Sequence, residues 1–143
     1  MKRICLMLLA GLLCAGISAA EEAKTYNYIA ADLLKAKLEA KDPLHLLDIQ
    51  VKEGFCEHHI PGAVATFAYP VQTEEEKARL DQVVTRLQAD VAPIVIVCPR
   101  GGGGAKRAYD HLLGQGIGKE RLFILEKGQE GWPYLELIER TPQ

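Results

Sequence analysis

The chemistry in this chain is concentrated in one stretch, Cys98-Pro99-Arg100-Gly101-Gly102-Gly103-Gly104-Ala105-Lys106. A cysteine is a nucleophile as the thiolate, and that form is favoured by nearby positive charge or by a helix N-terminus. Glycines bury nothing and cost backbone entropy on ordering, so four in a row have no packing use. They allow a tight loop whose amide N–H groups turn inward, and with a following helix N-terminus such a loop makes a partly positive nest for an anion. The expectation is a Cys98 thiolate at the lip of an anion site built from Pro99, Arg100, Gly101, Gly102, Gly103 and Gly104, with Lys106 on the first helical turn. The plain alternative is a buried strand-end cysteine ahead of a glycine linker, with Arg100 and Lys106 solvated as most such residues are.

Such a thiol needs a strand before it and a helix after it. Pro93-Ile94-Val95-Ile96-Val97 is an unbroken β-branched run, as a strand buried on both faces of a parallel sheet requires. Ala105, Ala108, Tyr109, Leu112 and Leu113 recur at helical spacing, and Gly114 reads as the stop. Cys98 therefore lies at the carboxyl end of a strand, where open α/β sheets bind their ligands.

The remaining pattern supplies the sheet. Ile29, Leu33, Leu34 and Leu38 have helical spacing, ended by Lys41-Asp42-Pro43, and Leu44 to Ile49 reads as a central strand. Gln50 to Ala63 reads as a long irregular segment, and Val64 to Phe67 as a short strand. Thr73 with Glu76 forms a capping box opening a helix with Leu80, Val83, Val84 and Leu87 on its buried stripe. Leu122 to Leu125 is a further strand, and a short terminal helix is expected through Leu135 and Ile138. Alternating strands and helices argue an α/β fold with a parallel sheet covered on both faces.

The chain has 143 residues, 48% hydrophobic and 25% charged, enough for one domain with one core. Met1-Lys2-Arg3, the apolar run Ile4 to Ala15 and Ser18-Ala19-Ala20 read as a secretory signal over residues 1–20, leaving a domain at 21–143 and a periplasmic or secreted location. The other reading of that segment is an uncleaved anchor, for which the run is short. Cleavage removes Lys2 and Arg3, leaving fifteen basic against nineteen acidic residues, a net charge of −4. No basic stripe remains for nucleic acid, and no stable membrane insertion is expected. Of four cysteines, Cys5 and Cys14 leave with the signal and Cys56 and Cys98 remain.

Spacing disposes of two neighbouring chemistries. A Cys-x5-Arg phosphatase loop needs arginine where Gly104 stands. A Walker A loop needs Gly-Lys-Ser/Thr, against Ala105-Lys106-Arg107. Cys56 with His58-His59 makes no metal site, because adjacent histidines point apart and a fourth ligand is unidentified.

The chain resembles single-domain rhodanese-like sulfurtransferases over nearly all of its mature length. Leu46-Leu47-Asp48-Ile49 is similar to the family's Leu-Leu-Asp-Val strand, and Phe55 through His59-Ile60-Pro61-Gly62-Ala63 to its Tyr-x-x-Gly-His-Ile-Pro-Gly-Ala segment. Cys98 to Gly103 has the six-residue length of the sulfurtransferase loop, and Gly128 with Gly131-Trp132 resembles the closing Gly-Gly-x-x-x-Trp region. Gln50 stands where the family usually has arginine, His58 where it has glycine, and Gly103 where the loop often carries Arg, Lys or Thr.

The resemblance implies a five-stranded, mainly parallel sheet with helices on both faces. It implies that Cys98 takes sulfur from a small anionic donor such as thiosulfate and passes it, as a persulfide, to cyanide or a thiol, including a periplasmic protein thiol. No cofactor and no metal are implied, since the sulfur travels as a covalent adduct. Asp48 and His59 are accessory candidates, His59 as a structural hydrogen-bonder. Cys56 lies in a segment the family places near the active loop, so a Cys56–Cys98 redox couple is a second reading, and a non-catalytic anion- or partner-binding module a third.

Overall fold

The computed structural model describes residues 23–142, so the expected signal segment, with Cys5 and Cys14, lies outside the described residues. In chain order the elements are β1 (Tyr28–Ile29), α1 (Ala31–Glu39), β2 (His45–Asp48), α2 (Lys52–Glu57), β3 (Val64–Ala65), α3 (Glu74–Gln88), β4 (Ile94–Val97), α4 (Gly103–Gly114) and β5 (Leu122–Leu125). Single 3₁₀ turns occupy Lys119–Arg121 and Leu135–Leu137. The sheet runs β1-β5-β4-β2-β3 with every strand pair parallel. The strand that ends at Cys98 is thus central, paired to β2 from Ile94 against His45 and to β5 from Ile94 against Leu122.

Successive strand residues face opposite ways, and the two faces have separate cores. Ile94 and Ile96 of β4 pack with Leu47, Ile124, Leu80 of α3 and Ala108, Tyr109 and Leu112 of α4. Val95 and Val97 pack on the other face with Leu46, Leu34 of α1, Ile60 and Trp132. All four β4 residues are buried, which is why the run shows no polar alternation. Cys98 is the next residue and belongs to the α3/α4 core.

Four expectations are corrected. Ile29 is not in the first helix: it pairs with Leu125 on the sheet edge and buries its side chain from there, while Leu33 is 53% exposed. One apolar residue ahead of a helix carries no periodicity of its own, so the pattern could not separate it. The segment 50–63 is not wholly irregular but contains α2, despite Gly54. A Cβ at Gly54 would sit 3.2 Å from Gln50 Oε1, so the small residue lets α2 fold back against Gln50. Helix α4 starts at Gly103 and includes Gly114, and the left-handed residue past its end is Gly116, with φ +87°. The expected terminal helix is a single 3₁₀ turn, followed by an antiparallel bridge of Glu139 to His59.

The capping box forms as read: Thr73 Oγ1 accepts from the Glu76 amide at 3.2 Å and Glu76 Oε2 accepts from the Thr73 amide at 3.1 Å. The Gln72 amide also donates to that oxygen, and these amides, Gln72 first, hold the Glu76 carboxyl below its usual range. No helix among the described residues is long and apolar enough to cross a membrane.

Candidate active site

Strand β4 delivers Cys98 to the carboxyl edge of the sheet, and the chain must turn sharply before α4. Gly101 makes that turn with φ +71°, a conformation that costs an L side chain about 1–2 kcal/mol. The turn brings the Gly101 amide back to donate to Cys98 Sγ at 2.9 Å. A hydrogen bond donated to sulfur supports negative charge there.

The loop is held from behind by the turn after β5. The Gln129 amide donates to the Cys98 carbonyl at 2.8 Å, and the Glu130 amide to the Pro99 carbonyl at 2.9 Å. This approach is close enough that a Cβ at Gly128 would strike the Cys98 carbonyl and lie 2.6 Å from the Arg100 nitrogen. Lys127 beside it adopts φ +60°. The distant Gly128/Gly131-Trp132 motif is therefore the clamp on the cysteine loop, with the Trp132 indole anchored to the Leu137 carbonyl at 3.1 Å.

Two features of the loop differ from expectation. The thiol is not at the lip: Cys98 is 1% exposed, seated under the loop in the α3/α4 core. And the glycines are not all loop, because Gly103 and Gly104 form the first turn of α4, with Gly102 as N-cap. Gly104 does have a packing role, since a Cβ there would come within 2.6 Å of the Tyr69 ring. No side chain caps α4, so the amides of its first turn, which have no intrahelical acceptor, face outward from its end. With the helix dipole they favour an anion beside Gly102 and Gly103.

The flanking cations divide in an unexpected way. Arg100 is exposed, and the Lys106 ammonium sits over the Tyr26 ring, 5.5 Å from its centroid. Arg107, which sequence reasoning passed over, lies against the start of α4, its Nη1 3.0 Å from where a Gly103 Cβ would be. Its Nε donates to the Pro70 carbonyl at 2.9 Å. The available signal was the four-residue spacing from Gly103.

Asp48 ends β2 beside Val97, one residue from Cys98, and is fully buried. Burial raises its carboxyl from 3.8 to about 6, against the lowering effect of donors from the Gln50 amide at 2.8 Å and Gln50 Nε2 at 3.0 Å. Gln50 stands in for a cation here with a neutral amide. His59 is a strut: Nδ1–H donates to the Phe55 carbonyl at 2.8 Å, the ring stacks on Phe55 at 3.8 Å, and its backbone pairs with Glu139. Cys56 is buried, outside the Cys98 core, and its carbonyl accepts from the Thr141 amide at 3.0 Å. Both thiols are free. Gln129 is 2% exposed, and neither polar atom of its side chain has a partner among the described residues.

The model of the rhodanese-like domain matches residues 30–133. A rhodanese-like domain protein from Staphylococcus aureus superposes with a TM-score of 0.58 at 23% identity, covering 81% of this chain and 99% of that one. A thiosulfate sulfurtransferase from Pseudomonas aeruginosa gives 0.62 at 22% identity, over 82% of this chain and 20% of that one. A yeast protein tyrosine phosphatase of the rhodanese family gives 0.61 at 14%, over 81% and 92%. No curated protein matches the chain in sequence.

Proposed function

This chain belongs to the rhodanese-like domain family, and from that premise we propose that it is an exported sulfurtransferase working through a Cys98 persulfide. The observation that carries the reading is the Gly101 amide aimed at Cys98 Sγ, 2.9 Å away, beside the uncapped start of α4. The first stabilises charge on the sulfur, the second draws in an anionic donor, and both are in place before any substrate binds.

With thiosulfate, the Cys98 thiolate attacks the outer sulfur. A Cys98 S–S bond forms, the donor's S–S bond breaks, and its electron pair departs on sulfite. Cyanide or a thiolate then takes the terminal sulfur, as thiocyanate or a new persulfide, and Cys98 returns as thiolate. The sulfur stays covalently bound between the two half-reactions, so the cycle calls on no cofactor. A phosphate-ester reading is disfavoured by Gly104, where the required arginine would run into Tyr69.

Intact-mass measurement of the purified mature chain tests the reading. Thiosulfate adds the mass of one sulfur, cyanide removes it, and Cys98→Ser abolishes the gain. Failure to gain sulfur from thiosulfate, mercaptopyruvate and polysulfide alike would leave a non-catalytic binding module.

A further inference from the structure

The face of the sheet away from α3 and α4 is covered thinly. Among the described residues α1 is the only helix that supplies side chains to its core, and α1 is nine residues long. At the amino end of the strands this leaves a cavity of about 240 Å³. Its floor is Val95 and Phe123, register partners on β4 and β5 that point the same way from the sheet, with Ile29 of β1 beside them. Leu44 and Pro93, just ahead of β2 and β4, close one end. Leu33 and Lys37, four residues apart and so on one side of α1, make the wall. The floor is buried, with Val95 1% exposed, whereas the mouth is open, with Tyr28 41% exposed.

Lys37 is the only charged residue lining this cavity. A partly buried lysine beside apolar neighbours lays its methylenes along them and keeps its ammonium in water. That ammonium pairs with Asp42 at 3.3 Å, an exposed contact that a second carboxylate can share or displace. The cavity thus has an apolar interior with one cation at its rim, which is the complement of an amphipathic anion. It is smaller than the ~300–1,000 Å³ of sites for drug-sized ligands, so the apolar part is a short chain. We propose that it binds the anion of a medium-chain fatty acid, with the alkyl chain over Val95 and Phe123 and the carboxylate on Lys37. The site lies at the opposite end of β4 from Cys98, and its occupation is independent of sulfur transfer.

Calorimetry of the full mature chain with straight-chain carboxylates from hexanoate to dodecanoate tests this. Affinity rises about fourfold per added methylene and levels off once the cavity is full. In amide NMR spectra the largest octanoate-induced shifts fall at Ile29, Leu33, Val95 and Phe123. Lys37→Ala weakens octanoate about fivefold, the value of an exposed ion pair, and leaves octanol unchanged. Asp42→Asn tightens octanoate by removing the competing carboxylate. Leu33→Glu, at an exposed position that tolerates charge, weakens octanoate about tenfold through lost apolar contact and like-charge repulsion together. Affinity indifferent to chain length, shifts centred elsewhere, or equal sensitivity of octanol and octanoate to Lys37→Ala would overturn the inference. So would self-association of the chain abolished by Leu33→Glu, which would make the cavity a contact between two copies. The mass gained at Cys98 from thiosulfate is the same with and without octanoate, so this inference and the sulfurtransferase reading fail separately.

Discussion

Asp48 provides the sharpest test of the electrostatics around Cys98. It is fully buried at the end of β2, beside the strand that carries the thiol; its carboxylate accepts hydrogen bonds from neutral donors of Gln50, and His59 adds only a smaller lowering influence. Desolvation therefore dominates and its carboxyl titrates at about 6 instead of 3.8. A carboxyl whose folded midpoint is raised binds its proton more tightly in the native state than in the unfolded one. Between about pH 4 and 6 the native chain holds the extra proton, so stability falls as pH rises through that window. The full contribution is present below 3.8 and lost above the folded midpoint, and the difference is about 3 kcal/mol. Urea unfolding of wild type and Asp48→Asn from pH 4 to 7 isolates it. Whatever the amide does to packing against Gln50 is independent of pH, so it cancels in the change of the difference between the two. Asp48→Asn should gain about 3 kcal/mol on wild type across the window. Carboxyl-carbon NMR should show Asp48 titrating near 6, and Gln50→Arg should bring that midpoint down by supplying the missing opposite charge. A midpoint near 4 in wild type, with parallel stability curves, would refute the reasoning.

Two further outcomes concern packing around the loop. Gly104→Ala should destabilise by about 1–3 kcal/mol through overpacking against Tyr69, with the cost reduced in a Tyr69→Leu background; equal costs in the two backgrounds would mean that the ring is not the obstacle. Gln129→Met, close in shape and without an unpaired amide, should raise the urea midpoint, worth about 1–3 kcal/mol. A lower midpoint would show that the Gln129 amide is bonded in solution.

The parts of this fold that are plain in the sequence are those where one local requirement dominates. Ile94 to Val97 had to be apolar throughout because both faces of β4 are covered, and Thr73 with Glu76 close their box within four residues. Leu122 to Leu125 is a strand at the bounds the apolar run suggested. What was hidden depended on partners far along the chain. Nothing near Cys98 announces that its carbonyl will be met by the Gln129 amide, or that its thiol will lie beneath the loop. α2 was masked by Gly54, whose low helix propensity argues against a helix although its missing Cβ leaves the room that Gln50 Oε1 needs.

The choice between Lys106 and Arg107 shows why a motif read position by position has a limit. Both follow Gly103 at three or four residues, so both start near the same end of α4. Remote neighbours separate them: the Tyr26 ring holds Lys106 on one side, and the Pro70 carbonyl holds Arg107 on the other. Tyr26 is placed by its hydrogen bond to Asp110 and its edge contact with Tyr109, while Pro70 precedes Val71 of the α3/α4 core. The absent side chain at Gly103 is thus answered in space by one four residues on, reaching into the volume that glycine leaves free. A comparison of position 103 alone sees a lost cation, whereas the folded chain has a cation at the same place carried by the next turn of the helix.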